Sequence, residues 1–183
     1  MQDRKNITLF QSGDYAGFER LYEKYIDVIF AFILRKTSDT QVAEDICSQV
    51  WIKVLKSLEF FGDKDNANFK SWVYCIAQNS VIDYYRTRKG DVDIDAIAEP
   101  GISNDFASMI DQKNKLEKVT EYMQTMKPTE REILTLRIWD DLSYKQIAKI
   151  LSKKEDACKK SFSRGIKKIT ANISMLLLII FSL

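Results

Sequence analysis

The side chains of this 183-residue sequence that could do chemistry are aromatic and basic, and they come interleaved. Between Phe60 and Lys89, the rings of Phe60, Phe61, Phe69, Trp72, Tyr74, Tyr84 and Tyr85 alternate with Lys70, Arg86, Arg88 and Lys89. Such a mixture suits single-stranded nucleic acid, because bases stack on rings at about 1–3 kcal/mol each while cations follow the backbone. An ordinary core with a solvated rim would use the same residues. A second group, Lys159, Lys160, Arg164, Lys167 and Lys168, is basic without the rings. It suits duplex phosphates, where each cation releases a condensed counterion, or else forms a plain solvated face.

Covalent catalysis has little to work with. Histidine is absent, which excludes a histidine general base, a Ser-His or Cys-His nucleophile and any histidine-containing metal site. Cys47, Cys75 and Cys158 are odd in number and far apart. They form no disulfide framework and no zinc ribbon, and a reducing compartment fits them best. The expectation is a protein that is not an enzyme, with no metal, no cofactor and no small-molecule substrate.

The elements that must position these residues read as helices. Only 6 Gly and 2 Pro argue against a turn-rich β architecture. Phe18, Leu21, Tyr22, Tyr25, Val28, Ile29, Phe32 and Ile33 recur at steps of three and four, one face of an amphipathic helix. Ser38-x-x-Gln41 predicts a capping box and a second helix to about Leu58, with stripes Val42, Ile46, Val50, Val54, Leu58 and Cys47, Trp51, Leu55. A third helix runs from near Phe69 to about Arg88, with Phe69, Trp72, Val73, Ile76, Ser80 and Tyr84 inward and Tyr74 and Gln78 elsewhere.

Three further capping boxes, Thr129-x-x-Glu132, Ser143-x-x-Gln146 and Ser152-x-x-Glu155, predict three consecutive helix starts. A short helix, a tight turn and then a basic helix is the layout of a helix-turn-helix reader. In the last helix Cys158, Phe162, Ile166, Ile169 and Ile173 share one side, and Lys160, Arg164 and Lys167 the other.

Charge divides the chain. Met1–Gly90 carries 13 basic and 12 acidic residues, 91–126 carries 3 and 8, and 127–183 carries 12 and 6. The expected organisation is all-α: two small helical domains, 1–90 and 105–170, joined by a flexible acidic linker at 91–104. A hydrophobic tail follows at 171–183. Its apolar run, Met175–Phe181, is shorter than the ~20 residues that span a bilayer, and no signal peptide is visible, so a cytoplasmic protein with no membrane span is expected.

Both units together resemble the sigma factors of bacterial RNA polymerase, of the small extracytoplasmic-function group. Ala43-Glu44-Asp45-Ile46-Cys47-Ser48-Gln49-Val50-Trp51 looks like the family's segment that docks on the polymerase clamp, with Ser48-Gln49 where Gln-Glu is usual. Phe69 to Arg86 is similar to the promoter-melting helix F-x-x-W-L-x-x-I-A-x-N-x-x-x-D-x-x-R, matched at Trp72, Asn79, Asp83 and Arg86. Lys127 to Leu134 looks like L-P-x-x-x-R-E-V-L, and Leu142 to Ala148 looks like L-S-Y-x-E-I-A. Arg164 to Ile169 stands at R-A-R-K-K-L; Ser161 replaces a usual Arg, and Ser152 a common turn glycine.

The resemblance implies a factor that directs core RNA polymerase to specific promoters and initiates transcription by sequence-specific DNA binding and strand melting. Asp45, Gln49 and Lys53 would contact core polymerase. Phe60, Phe61, Asn66, Asn68, Lys70, Trp72, Asn79, Arg86 and Arg88 would hold the opened minus-ten strand. Ser143, Tyr144, Lys159, Lys160, Ser161, Ser163, Arg164, Lys167 and Lys168 would meet the upstream element. Core polymerase, promoter DNA and an anti-sigma factor are the implied partners. The rival readings are a stand-alone helix-turn-helix regulator and a helical interaction module with a membrane-facing tail.

Overall fold

The computed structural model describes residues 2–62, 68–89 and 122–181, with side-chain surroundings for 2–62, 68–87 and 122–172. Every regular element among them is a helix. Two compact units divide the chain, Met1–Ile97 and Ala98–Leu183. The expected linker at 91–104 and Asn66 of the loop lie outside the described residues.

The first unit contains α1 (Gln2–Gln11), α2 (Ala16–Thr37), α3 (Thr40–Leu58) and α4 (Phe69–Lys89). Leu21, Ile29 and Ile33 of α2, Val50, Val54 and Leu58 of α3, and Val73, Ala77 and Val81 of α4 are fully buried. The two α3 stripes are the ones the sequence predicts. In α2 the stripe is buried at Leu21, Tyr25, Ile29, Phe32 and Ile33, while Tyr22 at its edge stays 38% exposed. Helix α4 buries more than expected: Tyr74 and Gln78, read from sequence as lying off the inner face, are both buried. The reason is that α4 packs against both α2 and α3, so its apolar face is wide, and Tyr74 meets Phe32 edge-on at 5.0 Å.

One local expectation is corrected, and one helix is added. Helix α3 is capped by Asp39, whose carboxylate accepts from the Val42 N–H at 3.1 Å, and not by Ser38. Ser38 instead ends α2 in the left-handed region, φ 52°, its N–H donating to the Leu34 carbonyl. A two-residue connection needs one residue to terminate and one to initiate, and a carboxylate suits the positive end of the new helix. Helix α1 is also an addition. It crosses α2 at Gly17, where a Cβ would strike the Asn6 carbonyl oxygen and lie 2.6 Å from the Phe10 nitrogen.

The second unit contains α5 (Pro128–Ile138), α6 (Tyr144–Ile150) and α7 (Glu155–Phe181). Helix α5 begins with Pro128 itself after Lys127, with no side-chain cap, so Thr129 is not the cap the sequence suggests. Proline's fixed φ and missing N–H suit it to the first helical position. Ser143 does form the expected capping box: its N–H donates to Gln146 Oε1 at 2.7 Å, and the Gln146 N–H to its Oγ at 3.3 Å. Ser152 does not cap α7. It sits in the left-handed region, φ 52°, inside a turn closed by the Lys153 N–H on the Ala148 carbonyl. Helices α5 and α7 approach at Gly165, where a Cβ would lie 2.8 Å from Leu134 Cδ1.

Candidate nucleic-acid and polymerase interfaces

Three surfaces carry the residues singled out by sequence. The first is the outward side of α3. Stripes at i, i+4 face the core, so the intervening positions must face solvent, and Glu44, Asp45, Gln49 and Lys56 are exposed. Lys53 is exposed too, but its Nζ donates to Ser80 Oγ at 2.9 Å. It therefore links α3 to α4 as well as facing outward. Sequence reasoning misses Ile52, which is 53% exposed among these polar residues. Its position off both apolar stripes is the available signal.

The second surface is the start of α4 and the chain before it. Phe60 is 82% exposed. Phe61, one residue on, turns inward, its ring 4.7 Å from Trp72 and 5.9 Å from Phe69. Phe69 is buried, so Phe61 and Trp72 are half-buried rings resting on a core residue. Asn68 accepts the Ser71 N–H at 3.0 Å and so caps α4. That is a structural task for the acceptor end of a residue expected to read a base. Farther along, Lys70 is half-buried and Asn79 exposed. Arg86 is exposed and paired at 3.0 Å with Asp83 in the same helix. The side chain of Arg88 lies outside the described ones.

The third surface is the helix-turn-helix of α6 and α7. Tyr144 packs edge-on against Phe162 at 5.6 Å, with the Arg137 guanidinium 5.4 Å from its ring. The Ser143 hydroxyl is occupied by the capping box. Lys160, Ser163, Arg164 and Lys167 are exposed on one side of α7, and among the described residues no carboxylate pairs with those three cations. Three expected members differ. Ser161 is buried, 8% exposed, because it shares the inner side of α7 with Cys158 and Gly165. Lys168 is tied at 2.7 Å to Glu130, a carboxylate only 7% exposed. Lys159 is exposed but held by Glu155 at 2.8 Å, and that hydrogen bond raises its pKa, keeping it cationic.

Cys47 and Cys158 behave as packing residues. Burial pushes the Cys47 thiol up to about 11 and raises that of Cys158, so neither forms a reactive thiolate near neutrality.

A family model described as Sigma-70 region 2 matches residues 21–90, and a second, Sigma-70 region 4, matches residues 116–169. Together they span well over half of the sequence. The chain belongs to the sigma-70 family, in its extracytoplasmic-function group. The ECF RNA polymerase sigma factor SigM of Bacillus subtilis is 27% identical over 84% of this chain and 93% of its own. The all-α fold is shared with two solved structures. CnrH, in complex with the cytosolic domain of CnrY, has a TM-score of 0.62 at 18% identity, covering 96% of this chain and 99% of that one. The sigma factor RpoE, in complex with the anti-sigma factor NepR from Bartonella quintana, has a TM-score of 0.62 at 17% identity, covering 86% and 96%. As a sigma factor, the protein directs core RNA polymerase to promoters and initiates transcription by binding DNA. Two sigma regions on one chain disfavour a stand-alone helix-turn-helix regulator.

Proposed function

We propose how the work is divided along this sigma factor. The outward side of α3, with Asp45, Gln49, Lys53 and the exposed Ile52, docks on core polymerase. Phe60, Phe61, Trp72, Asn79, Arg86 and the loop before α4 hold the opened strand of the minus-ten element. Lys160, Ser163, Arg164 and Lys167 of α7 meet the upstream element in the major groove. The chain catalyses no covalent step. Melting follows from differential binding: an unstacked strand makes contacts that duplex DNA cannot, so binding it shifts the equilibrium toward the open form. The protein acts in the cytoplasm, and among the described residues no helix is long and apolar enough to cross a membrane. An anti-sigma factor restrains it, a reading supported by the partner named for the structurally similar RpoE.

The observation that carries the DNA-binding part is the separation of faces on α7. Cys158, Gly165 and Ile169 are buried while Lys160, Arg164 and Lys167 project outward. Changing those three cations together to Ala should weaken binding to the upstream duplex. It should also flatten the dependence of log affinity on log salt by about 0.9 for each phosphate that is no longer neutralised. A salt titration of duplex binding by the holoenzyme reads this directly. An unchanged slope would remove that face from the interface.

A further inference from the structure

Helix α1 lies outside the segment that region 2 matches, and its last residue makes an unusual set of bonds. Helix α3 ends at Leu58, and the carbonyls of a last helical turn have no intrahelical N–H donors. Gln11 supplies a donor from another helix. Its Nε2 donates to the carbonyl oxygens of Leu58 at 3.1 Å, Glu59 at 3.2 Å and Phe61 at 2.8 Å. One amide, with two N–H bonds, is thereby shared among three acceptors that run from the end of α3 into the segment before α4.

Both ends of this arrangement are anchored. The Asp3 carboxylate of α1 accepts from Lys24 Nζ at 2.5 Å and from the Tyr25 hydroxyl at 2.6 Å. The Tyr25 ring lies 5.5 Å from Phe69, which carries Phe61 and Trp72. Gly17 lets the α1 backbone lie directly on α2. At the other end, Phe61 is seated against Trp72 while its neighbour Phe60 projects into solvent.

We propose that Gln11 is a positioning residue for capture of the opened strand. By capping α3 from a different helix it reinforces the turn that the Phe60 and Phe61 N–H groups make on the Ser57 and Leu58 carbonyls, and so sets where Phe60 presents itself. This rests on the reading of Phe60 and Phe61 as strand-holding. The chemistry makes a specific demand: position 11 needs a donor, and it needs no particular shape. The carbonyl end of a helix carries partial negative charge. Lysine can therefore serve there, whereas glutamate, nearly the same size as glutamine, puts a carboxylate against three carbonyls.

The test uses holoenzyme reconstituted with core polymerase, on a promoter recovered from a transcription library. A labelled single-stranded oligonucleotide carrying that promoter's opened segment reads strand affinity, and permanganate reactivity of unpaired thymines reads melting. Gln11→Glu should weaken strand affinity about tenfold and lower thymine reactivity. Gln11→Lys should stay close to the parent. Affinity for core polymerase and for the upstream duplex should be unchanged in both. Wild-type strand affinity in Gln11→Glu would overturn the proposal, as would an equal loss of all three affinities. Asn79→Ala and Arg86→Ala separate the two layers. If they weaken strand binding and Gln11→Glu does not, positioning by Gln11 fails alone. If they too leave it intact, the strand-holding reading fails and takes the proposal with it.

Discussion

Lys168 and Lys167 are adjacent cations with different work. Lys168 neutralises Glu130, a carboxylate 7% exposed, across the α5–α7 contact. Lys167 is exposed with no carboxylate partner among the described residues. Removing Lys168 strands a buried charge, whereas removing Lys167 strands nothing. Lys168→Ala should therefore lower the stability of the second unit by about 1–2 kcal/mol, the half-exposed lysine keeping the figure below that of a fully buried pair. Lys167→Ala should be neutral to stability within about 0.5 kcal/mol. Thermal melts of the two variants check this. Restoration of stability in the double variant Lys168→Ala, Glu130→Gln would identify the stranded carboxylate as the cause. Sequence assigns both lysines to the DNA-binding face because both match the family motif, although only Lys167 falls opposite the apolar side of the helix. The feature that distinguishes them, a carboxylate 38 residues away, is a tertiary fact. Ser161 is misplaced by sequence for a related reason: a motif match names the position, while its angle beside Cys158 and Gly165 already points inward.

At the scale of elements, two glycines give opposite expectations. In a helix interior Ala is favoured over Gly by about 1 kcal/mol. At Gly165 an added Cβ meets the flexible ends of Leu134 and Met126, which can give way, so Gly165→Ala should change stability by less than about 1 kcal/mol. At Gly17 it meets the backbone of α1 at Asn6 and Phe10, which cannot move without lifting that helix. Gly17→Ala should destabilise the first unit by about 2 kcal/mol or more. It should also expose the α1 amides, which hydrogen exchange would detect.

Helices α2, α3 and α4 are legible in the sequence because their apolar stripes are long and regular, and α6 because Ser143 and Gln146 form a complete capping box. Helix α1 is not, since Ile7, Leu9 and Phe10 are too few to set a period and the helix is held by tertiary contacts. Ser38, Thr129 and Ser152 show the limit of cap motifs: the pattern marks that a helix starts nearby, but a neighbouring Asp, a Pro or a left-handed turn decides where. The motif residues of the candidate surfaces are legible. Gln11 is not, because a bond between remote helices leaves no local signature, and Ile52 is marked only by lying off both apolar stripes.

For the whole molecule, the uneven charge agrees with the proposed division of labour. The nearly neutral first unit presents rings and amides suited to an unstacked strand. The last stretch, with 12 basic against 6 acidic residues, presents cations suited to duplex phosphates. The central claim is that the chain confers promoter choice on a polymerase supplied by other subunits. Run-off transcription on a promoter library, with core polymerase in the presence and absence of this chain, tests that claim most directly. The account expects a defined set of promoters to yield transcripts only when the chain is present, with Asp45→Ala and the Lys160, Arg164, Lys167 triple variant reducing that output. Identical transcripts with and without the chain would contradict it.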